Sequence, residues 1–378
     1  MSNKNIYLWL AACFLIACGI RVFTLLNTEH LNSVTVFRVN EAYQQSVRPF
    51  NNPVWLSPMG TGRRHGYDFL NSLLIYYFGH PMMVTRLFSL VFGILTCIPY
   101  FLLIRSSFSE KIALASLFAF AIYPIHIQIS VVPMANAAFI FWMICAFYFV
   151  MKFFDKQTAA GKNIYLAILI TFTLLATMFR LEAWGLIFIF GLFFTQERKL
   201  KEGLIFLLFS SLYIAYVLYI SYKKYKDPFA FLAVPLFNLW QEPISLLATR
   251  GDMPKYGKYQ IFIWFDTLSY TFSLPLIIAG IFGIFTSLKD KKPRMLLTAF
   301  CIFFIILTAR QVISNEPAWK RYSALLGVFL IPFISAGIYK TCEYLRRMRN
   351  LGKVLAGGFF VISACYFCFI SVNILNKR

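Results

Sequence analysis

Long continuous apolar runs recur from one end of this chain to the other, and each is roughly 18 to 22 residues long. A run of this length crosses a hydrocarbon layer about 30 Å thick when it is helical. Apolar and polar residues do not alternate within the runs, which favours helices over a barrel. Hydrophobic residues make up 60% of the 378 residues and charged residues 13%, against about 25% charged in soluble domains. The sequence therefore predicts an all-α, polytopic transmembrane helical bundle.

The runs predict about eleven helices in a single membrane domain, residues 1–378. Two long polar stretches interrupt them, at residues 27–83 and 223–265. Within the first, residues 67–78 are apolar but too short to span, which predicts a helix lying at the membrane interface. The N-terminal run carries no small-residue cleavage pattern, so we expect it to be a retained first helix.

Basic residues indicate the orientation of the bundle. If the helices alternate, Lys4 and the short basic clusters near residues 105–111, 152–162, 198–201, 289–294 and 346–353 all fall on one side. Short loops rich in Lys and Arg stay in the cytoplasm. The N-terminus is then cytoplasmic, and both long polar stretches are extracytoplasmic.

The net charge of +21 is spread over short clusters between apolar runs, a pattern that favours anionic lipid headgroups and phosphate-bearing substrates as partners, and not nucleic acid. Most of the eight cysteines fall inside apolar runs without a Cys-x-x-Cys pair, which is typical of packing residues. The sequence shows no cluster of metal ligands.

Glu41 is the first candidate for chemistry, because it is a carboxylate in a polar stretch beside the membrane, close to Asn40 and Tyr43. A general base needs a carboxylate near a substrate hydroxyl or amine. The alternative is an ordinary solvated loop carboxylate.

Arg63 and Arg64 directly precede the short apolar segment, followed by His65 and Asp68. Two guanidinium groups beside a helix start can hold a phosphate, although headgroup anchoring is the alternative. His65 alone does not indicate a metal site.

Arg180 and Glu182 lie where two apolar runs join, on the same predicted face as Arg321. Charges at such depth often mark a functional site. The alternatives are an ion pair capping a helical hairpin and, for Arg321, snorkelling to the interface.

The order of several short motifs resembles the GT-C superfamily of integral-membrane glycosyltransferases, in the style of bacterial members related to protein O-mannosyltransferases and aminoarabinose transferases. The motifs are RVNEAY at 38–43, RLFSLVFG at 86–93, SVVPMAN at 130–136, FRLEAW at 179–184 and KRY at 320–322.

The resemblance implies transfer of a sugar from a polyprenyl-phosphate-linked donor to an extracytoplasmic glycan or lipid acceptor, at the outer face of a bacterial inner membrane. It implies a loop carboxylate that activates the acceptor, inversion at the anomeric carbon and arginines that stabilise the departing phosphate. No cofactor is implied with certainty, and relatives differ in their use of a divalent metal. The site residues expected on this basis are Glu41 and Asp68 as catalytic groups, Arg63, Arg64, Arg180 and Arg321 on the donor phosphate, and Asn40, Tyr43, His65, Asn136 and Glu182 lining the site.

Two positions depart from the family pattern. Asn40 stands where the family usually has its catalytic Asp, and Asn136 stands where an acid often begins the fourth segment. Asparagine cannot act as a base at neutral pH. Either Glu41 or Asp68 takes that role, or the acceptor arrives ionised, or the chain has lost transfer. The rival functions are a lipid-linked sugar flippase or transporter and a non-catalytic relative that binds polyprenyl lipid.

Overall fold

A computed structural model describes residues 3–28, 65–155, 158–228, 260–314 and 320–347, with single positions at 36, 39, 40, 42, 43 and 46. The regular elements in these ranges are helices. They are α1 (Asn3–Asn27), α2 (His65–Phe78), α3 (Pro81–Leu95), α4 (Cys97–Ser107), α5 (Glu110–Ala121), α6 (Pro124–Val131), α7 (Asn136–Asp155), α8 (Ala159–Phe179), α9 (Trp184–Gln196), α10 (Leu200–Ser210), α11 (Leu212–Tyr225), α12 (Gln260–Ser287), α13 (Lys291–Ser314) and α14 (Lys320–Arg347), with a 3-10 turn at Leu181–Ala183.

Seven helical segments in the described ranges are long and apolar enough to span a membrane, or eight if the bent pair α5 and α6 counts as one. The predicted all-α membrane fold is thus confirmed. The apolar segment expected at 67–78 is α2. The last predicted segment, at 354–375, lies outside the described residues, so the expected total of about eleven stays a prediction.

The two ends of the bundle differ in their side-chain chemistry. At one end, Lys292 pairs with Asp155 at 2.8 Å and Lys291 pairs with Glu197, which ties the start of α13 to the ends of α7 and α9. We call this the lysine-rich end. The opposite end, which we call the arginine end, contains Arg180, between α8 and α9.

The break between α5 and α6 is held by a buried arginine. Pro124 begins α6 and has no N–H, and the two helices bend by 54°. Arg21 of α1 donates from Nη1 to the carbonyl oxygens of Ala121 and Ala17, both at 3.0 Å, and lies 2.8 Å from Nδ1 of His126 through Nη2. Arg21 and His126 are both 0% exposed. A cation inside the bundle thus satisfies the last backbone carbonyl of α5, that of Ala121.

A second arginine joins the ends of two helices. Arg86 donates from Nε to the carbonyl oxygen of Val131 at 3.1 Å, at the end of α6, and from Nη2 to that of Leu25 at 2.7 Å, near the end of α1. Both carbonyls lie in the last turn of a helix, where no N–H of the same helix reaches them. Arg86 therefore fixes the turn that leads from α6 into α7.

Two tyrosine hydroxyls donate to backbone carbonyls of α14. Pro332 cannot donate to the carbonyl four residues earlier, and the hydroxyl of Tyr100 donates to that carbonyl, on Val328, at 3.1 Å. The hydroxyl of Tyr123 donates to the carbonyl of Ser323 at 3.0 Å. Gly327 makes room for the Tyr123 ring, because a Cβ there would overlap it.

Helices α12 and α14 pack with their backbones in close approach. A Cβ on Gly283 would overlap the carbonyl oxygen of Phe333, and a Cβ on Gly337 would overlap that of Ala279. Small residues permit such packing in membranes, where dispersion contacts replace the hydrophobic effect between helices.

We expect Arg21→Met to lower the free energy of unfolding by about 3 kcal/mol, because Ala121 and His126 would lose a charged donor inside the bundle. Thermal unfolding of the purified protein in detergent measures the change. Arg105→Met is the control, since Arg105 pairs with Glu110 at a partly exposed site and should cost less than about 1 kcal/mol. Equal losses in the two variants would contradict the role of Arg21.

We expect Gly283→Ala to destabilise the protein by about 1–3 kcal/mol, because the two backbones must separate to admit one methyl group. Gly19→Ala is a matched control, since a Cβ at Gly19 meets no atom within 4 Å. The control variant should keep or slightly raise the unfolding temperature. A neutral Gly283→Ala would show that the helices are not held at this distance.

Candidate functional site

Arg180 lies in a short break between α8 and α9. Its backbone is extended, with φ −154° and ψ 144°. Its N–H still donates to the carbonyl of Ala176, and its own carbonyl accepts from the N–H of Ala183, both at 3.2 Å. Because the break is one residue long and a 3-10 turn follows, the side chains of Arg180 and Glu182 meet.

The two side chains form a bidentate ion pair. Nε of Arg180 donates to Oε2 of Glu182 at 2.9 Å, and Nη2 donates to Oε1 at 2.7 Å. Two parallel N–H···O bonds of this kind are the strongest geometry that an arginine offers to a carboxylate or a phosphate. The sequence had placed these charges at a helix junction, and the structure joins them there.

Two residues from distant segments complete the surroundings of the guanidinium. Nη1 of Arg180 donates to Oδ1 of Asn136, the first residue of α7, at 2.6 Å. The ring of Tyr322, in the first turn of α14, lies 5.2 Å from Cζ of Arg180, and its side chain also hydrogen-bonds with Arg180. We refer to Asn136, Arg180, Glu182 and Tyr322 as the Arg180 cluster.

The Arg180 cluster is closed to solvent in this structure, since none of its four residues is more than 7% exposed. Burial disfavours the charged guanidinium, but the charge of Glu182 and the hydrogen bonds to Glu182 and Tyr322 outweigh it and raise the pKa of Arg180. Arg180 is therefore a cation at any accessible pH. A buried, well-bonded pair of this kind is costly to break by removing one partner.

The start of α2 lies beside the Arg180 cluster. A Cβ on Gly66 would touch Met178 and Phe179, which directly precede Arg180. Asp68, one helical turn into α2, is half-buried and interacts electrostatically with Tyr213 of α11. Asp68, predicted from the sequence as a candidate catalytic carboxylate, is thus carried by an element that packs against the end of α8.

The described positions between 36 and 46 show a helical pattern of burial. Val39, Ala42 and Ser46 are buried, whereas Asn40 and Tyr43 are exposed. Spacings of three and four residues place the buried side chains on one helical face.

Glu41, Arg63 and Arg64 lie outside the described residues, as do the side chains of His65 and Arg321. Among the side chains that the structure describes, no three His, Cys, Asp or Glu residues come together as metal ligands.

Sequence reasoning missed three residues that the structure brings into prominence. Tyr322 had been seen only as part of the KRY motif, yet it contacts Arg180. Arg21 and His126 lie within apolar segments and form a buried polar pair. The one available signal was an arginine and a histidine inside membrane-length runs, which are rarely accidental there.

Comparisons with known proteins agree with this architecture. Residues 60–225 match the family model of dolichyl-phosphate-mannose-protein mannosyltransferases. This match includes Asp68, Asn136, Arg180 and Glu182 and covers less than half of the 378 residues. The sequence has no match among curated proteins.

Two solved membrane proteins share the fold at low identity. The oligosaccharyltransferase AglB of Archaeoglobus fulgidus, in complex with an inhibitory peptide and a dolichol-phosphate, is 14% identical with a TM-score of 0.60, over 99% of this chain and 56% of its own length. ArnT of Cupriavidus metallidurans, bound to undecaprenyl phosphate, is 13% identical with a TM-score of 0.58, over 100% of this chain and 73% of its own length. The chain thus spans little more than half the length of the oligosaccharyltransferase.

The fold, the order of the motifs and the family match agree with one another. The chain is a multi-pass membrane protein with a GT-C-like all-α fold, and over residues 60–225 it resembles the dolichyl-phosphate-mannose-protein mannosyltransferases.

Proposed function

We propose that this protein transfers a sugar from a polyprenyl-phosphate-linked donor to a glycan or lipid acceptor on the extracytoplasmic side of a bacterial inner membrane. The observation that carries the proposal is the buried guanidinium of Arg180. Its Nε–H and Nη2–H donors, which we call the fork of Arg180, hold a carboxylate in the geometry that also fits a phosphate. This fork lies within the family-matched region. Structures of AglB and ArnT, which share the fold, contain dolichol-phosphate and undecaprenyl phosphate.

The two ends of the bundle support the orientation of the proposed reaction. Lys291 and Lys292, in one of the short basic clusters, lie at the end opposite Arg180, and short loops rich in Lys and Arg face the cytoplasm. The arginine end is then extracytoplasmic. A lipid phosphate at that interface would meet Arg180 where the membrane ends, and its polyprenyl chain would stay in the hydrocarbon.

The chemistry follows from the charge that develops during transfer. Glu41 accepts the proton of the acceptor, which attacks the anomeric carbon and inverts it, with Asp68 as the reserve base. Negative charge builds up on the departing lipid phosphate. Arg180, assisted by Arg63, Arg64 and Arg321, stabilises that charge in a site that excludes water. Asn40, Tyr43 and His65 complete the wall of the site.

Asn136 has a physical role in this scheme even though it is not an acid. Its amide oxygen holds Nη1 of Arg180 without adding charge. A carboxylate at this position would leave the Arg180 cluster with net charge −1 and repel a phosphate. The neutral amide keeps the net charge of the Arg180 cluster at zero.

A transporter of lipid-linked sugars would need polar groups along an open path between the helices. Arg21 and His126, a polar pair inside the described part of the bundle, are fully buried, and Arg21 is bonded to His126 and to two backbone carbonyls. They hold helices together and do not line an open path, which favours a transferase over a transporter.

We expect Arg180→Lys to lower sugar transfer about 100-fold, because an ammonium group cannot form the bidentate fork that stabilises the leaving phosphate. The assay follows release of undecaprenyl phosphate from a panel of undecaprenyl-phosphate sugars by the protein in liposomes, in the presence of candidate glycan and lipid acceptors. Arg105→Lys, at the lysine-rich end, is the control and should keep full activity. Unchanged transfer by Arg180→Lys would refute the phosphate role.

We expect Glu41→Gln to lower transfer by about 10²–10⁴-fold with donor binding intact, because the acceptor would lose its general base. Asp68→Asn, assayed in parallel, should be close to wild type if Glu41 is the base. The reverse outcome would assign the base to Asp68. Wild-type rates in both variants would contradict the general-base scheme.

A further inference from the structure

The fork of Arg180 is already occupied. The Nε and Nη2 N–H groups form one of the two edges of the guanidinium that can hold a phosphate bidentately, and they donate to the two oxygens of Glu182, while Nη1 donates to Asn136. A carboxylate presents two oxygens in nearly the same spacing as a phosphate does. A lipid phosphate that binds this edge of Arg180 therefore has to compete with Glu182 for the same donors.

We infer that Glu182 competes with the donor phosphate for Arg180. Its carboxylate accepts from the fork of Arg180 in the protein without ligand and is displaced from it when the polyprenyl phosphate binds. This rests on the proposed function and adds a feature to it, a self-inhibitory contact within the phosphate site. The apparent affinity for the lipid phosphate is then set in part by the cost of displacing one carboxylate.

The local backbone suits such an exchange. Glu182 lies in a three-residue 3-10 turn, two residues from Arg180, so its side chain can turn away by rotation about its own bonds while the helices stay in place. Asn136 and Tyr322 come from other helices and hold the guanidinium from different sides. Arg180 would therefore keep its position while its partner changes.

Charge balance also favours exchange over simple addition. The pair of Arg180 and Glu182 is neutral, so a phosphate that bound beside an intact pair would add an uncompensated negative charge to a buried site. If the carboxylate leaves the fork and turns toward water at the arginine end, the guanidinium neutralises the phosphate and no unpaired charge stays buried. Asn136, being neutral, contributes to this balance because it does not compete as a second anion.

Two substitutions test the inference, with effects of opposite sign. Glu182→Gln removes the competing charge while keeping the size of the side chain, and we expect undecaprenyl phosphate to bind about tenfold more tightly, since a neutral acceptor holds Arg180 more weakly than a carboxylate does. Asn136→Asp adds a second competing carboxylate to the same guanidinium, and we expect weaker binding. Affinity is measured by native mass spectrometry and by ligand-dependent thermal shift in detergent.

Undecaprenol, which has the same chain without the phosphate, is the ligand control and should show no change in either variant. Glu110→Gln is the protein control, because Glu110 pairs with Arg105 in a partly exposed ion pair at the lysine-rich end, and it should leave binding unchanged. Glu182→Asp, one methylene shorter, should fit the fork less well and also tighten binding.

The outcomes separate the inference from the proposed function. If wild-type protein binds undecaprenyl phosphate no better than undecaprenol, the proposed function fails. If wild type binds but Glu182→Gln binds equally or more weakly, then Glu182 orients Arg180 and does not compete with the ligand, and the inference alone is overturned. If neither variant at position 182 folds, Glu182 is a fixed structural partner, which also overturns it.

Discussion

The structure depends on one constraint, which is that backbone carbonyls inside a membrane must find donors within the protein. Each break described in α5–α6, at the end of α6 and in α14 exposes such a carbonyl, and a long polar side chain takes it. Arg21, Arg86 and Tyr100 reach across from other helices to do so. Because each bond joins segments far apart in the chain, satisfying the backbone and assembling the bundle are the same event.

The Arg180 cluster is the exception that suggests function. The guanidinium of its arginine donates only to side chains in the bonds described above, among them those of Glu182 and Asn136, whereas Arg86 binds two carbonyls and Arg21 binds two carbonyls besides His126. Backbone partners are fixed once the helices are packed. Side-chain partners can rotate away. Arginine therefore holds helices together at one place in this protein and serves as an exchangeable binding group at another.

Much of the fold could be predicted from the sequence, since hydropathy over membrane-length runs reports directly on contact with lipid. The junction at Arg180 and Glu182 was visible because charges interrupt an apolar pattern. The partners of Arg180 were not visible, because Asn136 and Tyr322 reach it through tertiary packing. The polar role of Arg21 was hidden for a related reason: one charge hardly lowers the average of an apolar run. The bend at Tyr123 lay inside a run that hydropathy reads as one straight segment.

The contact between Tyr100 and Val328 limits how this region of the protein can evolve. A proline at 332 frees the carbonyl of Val328, and the hydroxyl of Tyr100 supplies the donor that the proline removes. Loss of the tyrosine while the proline is kept would take that donor away. Among related sequences, proline at 332 without a hydroxyl at 100 should be rare, whereas tyrosine at 100 without the proline should be common.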